Sequence, residues 1–179
     1  MKIIALTGPK QVGKTTVANA IANYLDPFIH SQVVSFATPM RAMLLAMGID
    51  ESNLNNPSLK ETPIEGINKS ARQLLQTLGT DWGRNMINDN IWLWAMQRQL
   101  KFAEMGNAEY AIIDDCRFEN EARCVKSLGG IIVRLKRAGF EYGTDPHESE
   151  RPIAHGIDFI CDATDAQEAS ERIVKFATT

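Results

Sequence analysis

Residues 8–15 read Gly-Pro-Lys-Gln-Val-Gly-Lys-Thr and fulfil the pattern G-x-x-x-x-G-K-[ST] in full. The surroundings make the pattern a constraint on the fold. Ile3-Ile4-Ala5-Leu6 is a short apolar run of the kind that forms a buried strand. After the pattern, Val17, Ile21 and Leu25 recur at helical spacing. Strand, glycine-rich loop and helix, in that order, make a cradle for phosphate. Gly8 and Gly13 let the chain curl so that backbone N–H groups point inward. The helix starting near Lys14 adds the positive end of its dipole. The Lys14 ammonium can reach the β- and γ-phosphates of a nucleoside triphosphate, and the Thr15 hydroxyl is placed to ligate Mg²⁺.

The rest of the chain alternates in the same manner. Strands are expected at 3–6, 33–36, 110–113, 131–135 and 159–161. Helices are expected at 14–25, 39–47, 69–78, 91–103 and 118–128, with Gly79 ending the third. Asp165 with Glu168 resembles a capping box for a last helix whose apolar face is Ala169, Ile173 and Phe176. Residues 50–66, with Pro57, Pro63 and Gly66, read as a loop; so do the polar residues 137–152, with Gly139, Gly143, Pro146 and Pro152. This alternation predicts an α/β fold in three layers, α/β/α, around a parallel five-stranded sheet. Ligands of such sheets sit at the carboxyl ends of the strands, where the phosphate loop, Phe36-Ala37, Asp114-Asp115 and the loop starting at Arg137 all fall.

With 179 residues, 44% of them apolar and 23% charged, the chain reads as one globular domain. A net charge of −3 argues against a dedicated nucleic-acid surface. No apolar run approaches the roughly 18 residues of a membrane span, and the N-terminus reads as a strand rather than a signal peptide. Cys116, Cys124 and Cys161 lack metal-like spacing and read as reduced thiols of a cytoplasmic protein.

Asp114-Asp115 closes an apolar strand, the position of a Mg²⁺-organising carboxylate in phosphate-loop enzymes. Neighbours on a strand face opposite ways, so one can serve the metal while the other caps the following helix. Arg41, Arg72, Arg117, Arg134 and Arg137 fall near predicted strand ends or cleft-facing helices. One such arginine is ordinarily a solvated charge. Five in a chain of negative net charge suit phosphoryl transfer, which needs cations on the acceptor phosphate and on the transferring group. Trp82, Trp92 and Trp94 read first as core residues, with at most one of Trp92 and Trp94 facing a base. His147 sits in a polar loop, where exposure and a substrate or lid role are equally open.

Nearly the whole length resembles the bacteriophage deoxynucleoside monophosphate kinases. The matching stretches are Gly8 to Thr16, Ser35-Phe36-Ala37-Thr38-Pro39-Met40-Arg41 and Arg72-Gln73-Leu74-Leu75-Gln76-Thr77-Leu78-Gly79-Thr80-Asp81. They continue with Trp92, Asp115-Cys116-Arg117 before Glu121-Ala122, Lys136-Arg137-Ala138-Gly139, and Asp145-Pro146-His147-Glu148-Ser149-Glu150. The resemblance implies transfer of the γ-phosphoryl of ATP, with Mg²⁺, to a deoxynucleoside 5′-monophosphate. Gly8, Lys10, Val12, Gly13, Lys14, Thr15 and Thr16 would hold ATP. Phe36, Arg41, Arg72, Gln76, Thr80, Trp92, Arg117 and His147 would meet the monophosphate, within a region at about 36–104. Thr15 and Asp115 would hold the metal; Lys14, Arg117 and Arg137 would be catalytic, Arg137 from a lid at about 137–152. The partner implied is a small molecule, not nucleic acid or membrane, and the family allows a homodimer. A phage-encoded chain would act in the host cytoplasm.

Two departures stand out: the 50–66 segment is short beside the family's insertion, and Ala138 stands where proline is common. Two other readings keep the same loop. One is a different small-molecule kinase, acting on dephospho-coenzyme A or a sugar acid. The other is a switch or assembly ATPase that hydrolyses ATP.

Overall fold

The computed structural model describes residues 1–25, 29–143 and 147–179. Asp145 and Pro146 of the expected lid lie outside the described residues. The chain divides into two compact units, residues 1–35 with 96–179, and residues 36–95.

The first unit holds a five-stranded sheet: β1 (Lys2–Thr7), β2 (Ser31–Val34), β3 (Tyr110–Ile113), β4 (Ile131–Lys136) and β5 (Phe159–Asp162). Their spatial order is β2-β3-β1-β4-β5, and every neighbouring pair is parallel. Helix α1 (Lys14–Leu25) follows β1, α6 (Glu119–Ser127) lies between β3 and β4, and α7 (Ala166–Thr178) closes the chain. Ile4 and Leu6 of β1, Ile112, Val133 and Leu135 pack with Val17, Ile21 and Leu25 of α1 and with Ile173 and Val174 of α7. Ile3 and Ala5, alternate residues of β1, are buried on the other face. Here lie Val125 of α6 and the Leu100 turn of α5 (Ile91–Met105), which borders a groove with Ile3. Apolar residues on both faces explain the near-continuous apolar runs of these strands. Asp165 caps α7, its side chain accepting from the N–H groups of Gln167 and Glu168.

The second strand departs from expectation. Pairing with β3 begins at Ser31 and ends at Val34, so Ser35 and Phe36 lie past the strand. The apolar pattern put the strand two residues late, because the polar Ser31 and Gln32 pair through their backbone.

The second unit is helical: α2 (Thr38–Ala46), α3 (Glu51–Asn55), a 3₁₀ turn at Leu59–Glu61 and α4 (Ala71–Gln76). Leu44, Ile49, Leu54 and Ala71 form its core, with Ile64, Leu74, Leu75 and Leu78 packed against them. The stretch 50–66 was expected to be a loop. Leu54, the buried residue of α3, supplies the apolar anchor that makes it partly helical. Ser70 and Gln73 form a reciprocal capping box that starts α4.

Gly79 does not end that helix. The chain continues as a π-helix over Thr77–Ile87, its last bond running from Asn88 N to the Gly83 carbonyl. Tertiary packing overrides the glycine signal. The Gly79 carbonyl accepts the indole N–H of Trp92 at 2.7 Å. A Cβ on Gly83 would come within 2.3 Å of the Trp92 ring, so a bare backbone at 83 admits the indole. Trp92 is thus buried while Trp94, on another face, is exposed, and Trp82 lies 6.4 Å from the Trp92 ring.

Candidate active site

The phosphate loop runs from the end of β1 into α1. Gly8 and Gly13 have φ of +149° and +104°. A Cβ on Gly8 would sit 2.8 Å from the Leu135 carbonyl, so only glycine lets the loop lie against β4. Gln11, at the loop tip, also has positive φ, 61°, a cost that an L residue bears only where the surrounding loop fixes it. Val12 is fully buried and anchors the loop in the core. Lys10 and Gly13 are half-buried, while Thr15 and Thr16 face outward on the first turn of α1.

Lys14 is buried, and its Nζ donates to the carbonyls of Gly8 at 2.8 Å and Pro9 at 2.7 Å. Removal from water pushes its pKa down to about 7, and the Arg117 cation adds to the effect. Glu150, Asp115 and Asp114 pull the other way. One cation is therefore surrounded by three carboxylates and a second cation.

Two hydroxyls meet the two aspartates after β3. Thr15 Oγ1 donates to Asp114 Oδ2 at 2.7 Å, while Ser35 Oγ donates to Asp115 Oδ2 at 2.6 Å. Asp114 Oδ1 is buried and accepts no hydrogen bond among the described residues. Burial and the neighbouring Asp115 charge raise the Asp114 pKa to about 6. A threonine hydroxyl beside a carboxylate with an open, buried oxygen is a hard oxygen donor set, and it fits Mg²⁺.

Arg117 is fixed at both ends. Its backbone N–H and that of Phe118 donate to Glu121 Oε2, and its guanidinium pairs with Glu150 at 3.1 Å. Arg137 is exposed and lies over the Phe140 ring, 4.9 Å from its centroid, in a turn closed by Phe140 N to Arg137 O. His147 caps the 3₁₀ turn Glu148–Glu150, its Nδ1 accepting from Ser149 N. Arg134 donates to the Ile153 carbonyl.

The remaining expected residues belong to the second unit. Arg41 donates to the Leu54 carbonyl and to the Asn55 side chain. Arg72 pairs with Glu61 at 2.7 Å. Phe36 and Trp92 are buried, and Gln76 and Thr80 are half-buried. Sequence reasoning singled out neither Ser35 nor Glu150 as a site residue. A lone serine past a strand carries no signal. Glu150 lay inside a motif quoted for its resemblance only.

Comparison with known proteins gives the family and the fold. Residues 68–162 match the family model described as deoxynucleotide monophosphate kinase. A protein of Acanthamoeba polyphaga mimivirus, provisionally named a deoxynucleotide monophosphate kinase, is 32% identical over 161 residues, 84% of this chain and 81% of that protein. The deoxynucleoside-5′-monophosphate kinase of Escherichia phage T5 is 30% identical over 117 residues, 60% of this chain and 44% of the phage protein. In fold, the chain is similar to dephospho-CoA kinase from Campylobacter jejuni, with a TM-score of 0.52 at 15% identity, covering 98% of this chain and 96% of that one. This likeness shows the fold, and the sequence relatives show the family: the chain belongs to the deoxynucleotide monophosphate kinase family.

Proposed function

We propose that this chain transfers the γ-phosphoryl group of ATP to a deoxynucleoside 5′-monophosphate, yielding ADP and the diphosphate. The observation that carries the reading is the Thr15–Asp114 pair at 2.7 Å beside a buried, open carboxylate oxygen, at the mouth of a complete phosphate loop. Family membership selects the acceptor, which the fold alone does not do.

The donor side is assigned to the first unit. Backbone N–H groups of residues 8–16 and the N-terminus of α1 cradle the ATP phosphates. Thr15 and Asp114 would hold Mg²⁺, with Asp115 oriented by Ser35 in support; this moves the metal role from Asp115, favoured by the resemblance, to Asp114. Held there, Mg²⁺ would supply divalent positive charge to the phosphate oxygens. Lys14 and Arg117 stabilise the charge that spreads over the transferring group, and the burial of Lys14 makes its charge worth more than it would be in water. Arg137 acts from the lid. The acceptor phosphate is already ionised at neutral pH, so positioning and electrostatics suffice without a strong general base.

The acceptor side is assigned to Phe36, Arg41, Arg72, Gln76, Thr80 and Trp92. Arg41 and Arg72 hold the monophosphate. His147 is read as ordering its own turn rather than touching substrate. Both substrates are cytoplasmic metabolites, so we read the site of action as the cytoplasm, that of the host for a viral gene.

The test is ADP release with ATP and Mg²⁺ across the common deoxy- and ribonucleoside monophosphates, beside a control without acceptor. Turnover that needs a deoxynucleoside monophosphate is expected. ADP release indifferent to any acceptor points to an ATPase and overturns the proposal.

A further inference from the structure

Glu150 is only 7% exposed, yet the reaction as assigned gives it no task. Burying a carboxylate is costly unless it is paired, and its partner is Arg117, Nη1 to Oε1 at 3.1 Å. The turn that presents Glu150 is held on both sides. Glu150 N donates to the His147 carbonyl at 3.0 Å, and Ser149 N donates to His147 Nδ1 at 3.2 Å. Just downstream, the Ile153 carbonyl accepts from Arg134, and Ala154 N donates to Glu119. Arg117 is fixed from its other end as well. Its backbone N–H donates at 2.7 Å to Glu121, a carboxylate 2% exposed.

We propose that Glu150 is a positioning residue. It holds the Arg117 guanidinium in one orientation. The inference rests on the assignment of Arg117 to the transferring group. Without Glu150 the guanidinium has other rotamers. The loss falls on the transition state, where charge placement matters most.

The experiment is a double-mutant cycle on the full chain, reading kcat and KM for ATP and for the best deoxynucleoside monophosphate. Glu150→Gln is expected to lower kcat about tenfold, to leave KM for ATP within about twofold, and to retain the wild-type far-UV circular dichroism. Glu150→Asp, which keeps the charge on a shorter arm, is expected to recover part of the loss. In an Arg117→Gln background, measured at high enzyme concentration, Glu150→Gln is expected to change kcat less than about twofold, because the group it positions is gone. Losses that multiply in the double variant, or a Glu150→Gln enzyme with wild-type kcat, overturn the proposal. Where Glu150→Gln does not fold, Glu150→Asp run through the same cycle reads the same coupling. A wild type without monophosphate-dependent turnover overturns the functional reading too. Turnover in the wild type with an uncoupled cycle overturns the positioning role alone.

Discussion

The charges assigned to the site are housed differently in the two compact units, although the second also buries one cation, Arg84, beside Asp89. In the unit built around the phosphate loop, Lys14, Glu121 and Glu150 are buried and Asp114, Asp115 and Arg117 are half-buried, each within reach of another. In the unit of residues 36–95, Arg41 and Arg72 hold partners near the surface; Glu61, the partner of Arg72, has a side chain 40% exposed. Buried charge is expensive and persists where a task requires it. Exposed ion pairs are worth little and break cheaply. The first arrangement suits fixed transition-state electrostatics. The second suits arginines that release a neighbour to take up an incoming phosphate.

Substitutions can break this comparison, and the largest effect is expected at Lys14. Lys14→Ala should lower kcat about a thousandfold with little change in fold, read by steady-state kinetics and circular dichroism. A loss below about tenfold would mean that the buried ammonium has no part in transfer. Next come the aspartates. Asp114→Asn should lower kcat about a hundredfold and raise the Mg²⁺ concentration for half-maximal rate about tenfold. Asp115→Asn should shift the Mg²⁺ requirement less, since the Thr15 hydroxyl donates to Asp114. The reverse order would return the metal role to Asp115.

The second unit gives smaller numbers. Gly83→Ala drives a methyl into the Trp92 ring, and overpacking of this kind costs about 1–3 kcal/mol. The expected readout is a lower Tm with tryptophan fluorescence shifted as Trp92 moves; an unchanged melt would mean the π-helix yields freely. Arg72→Ala should raise KM for the monophosphate about tenfold while KM for ATP stays within about twofold. Because the Arg72–Glu61 pair is partly exposed, the variant should lose at most about 1 kcal/mol of stability. Equal effects on both KM values would remove Arg72 from the acceptor side.

The same division decides how much was legible in the sequence. The phosphate loop is local: its strand, glycines, lysine and helix lie within 24 residues, Lys2 to Leu25, and every step has a compositional signature. The three inner strands were legible from apolar runs, since parallel strands buried on both faces leave little else in the sequence, whereas the edge strand β2 was read two residues late. The partners of the carboxylates were not. Which of Asp114 and Asp115 meets Thr15 depends on how β3 sits in register with β1, Ala5 beside Ile113, and no spacing encodes that. Nor does any periodicity reveal that Glu150 reaches back 33 residues to Arg117. In the helical unit, Gly79 sent the reading astray because glycine's local preference to stop a helix lost to the indole of Trp92. Helix α3 was hidden by the prolines that follow it, Pro57 and Pro63, and by having Leu54 as its one buried residue.

The most direct measurement follows the γ-phosphoryl itself. ATP labelled at that position is incubated with the full chain, Mg²⁺ and each deoxynucleoside monophosphate, and the products are separated by chromatography. The account predicts label on the deoxynucleoside diphosphate, little as inorganic phosphate, and loss of transfer in Lys14→Ala. Label released as inorganic phosphate at the same rate with and without acceptor would contradict it.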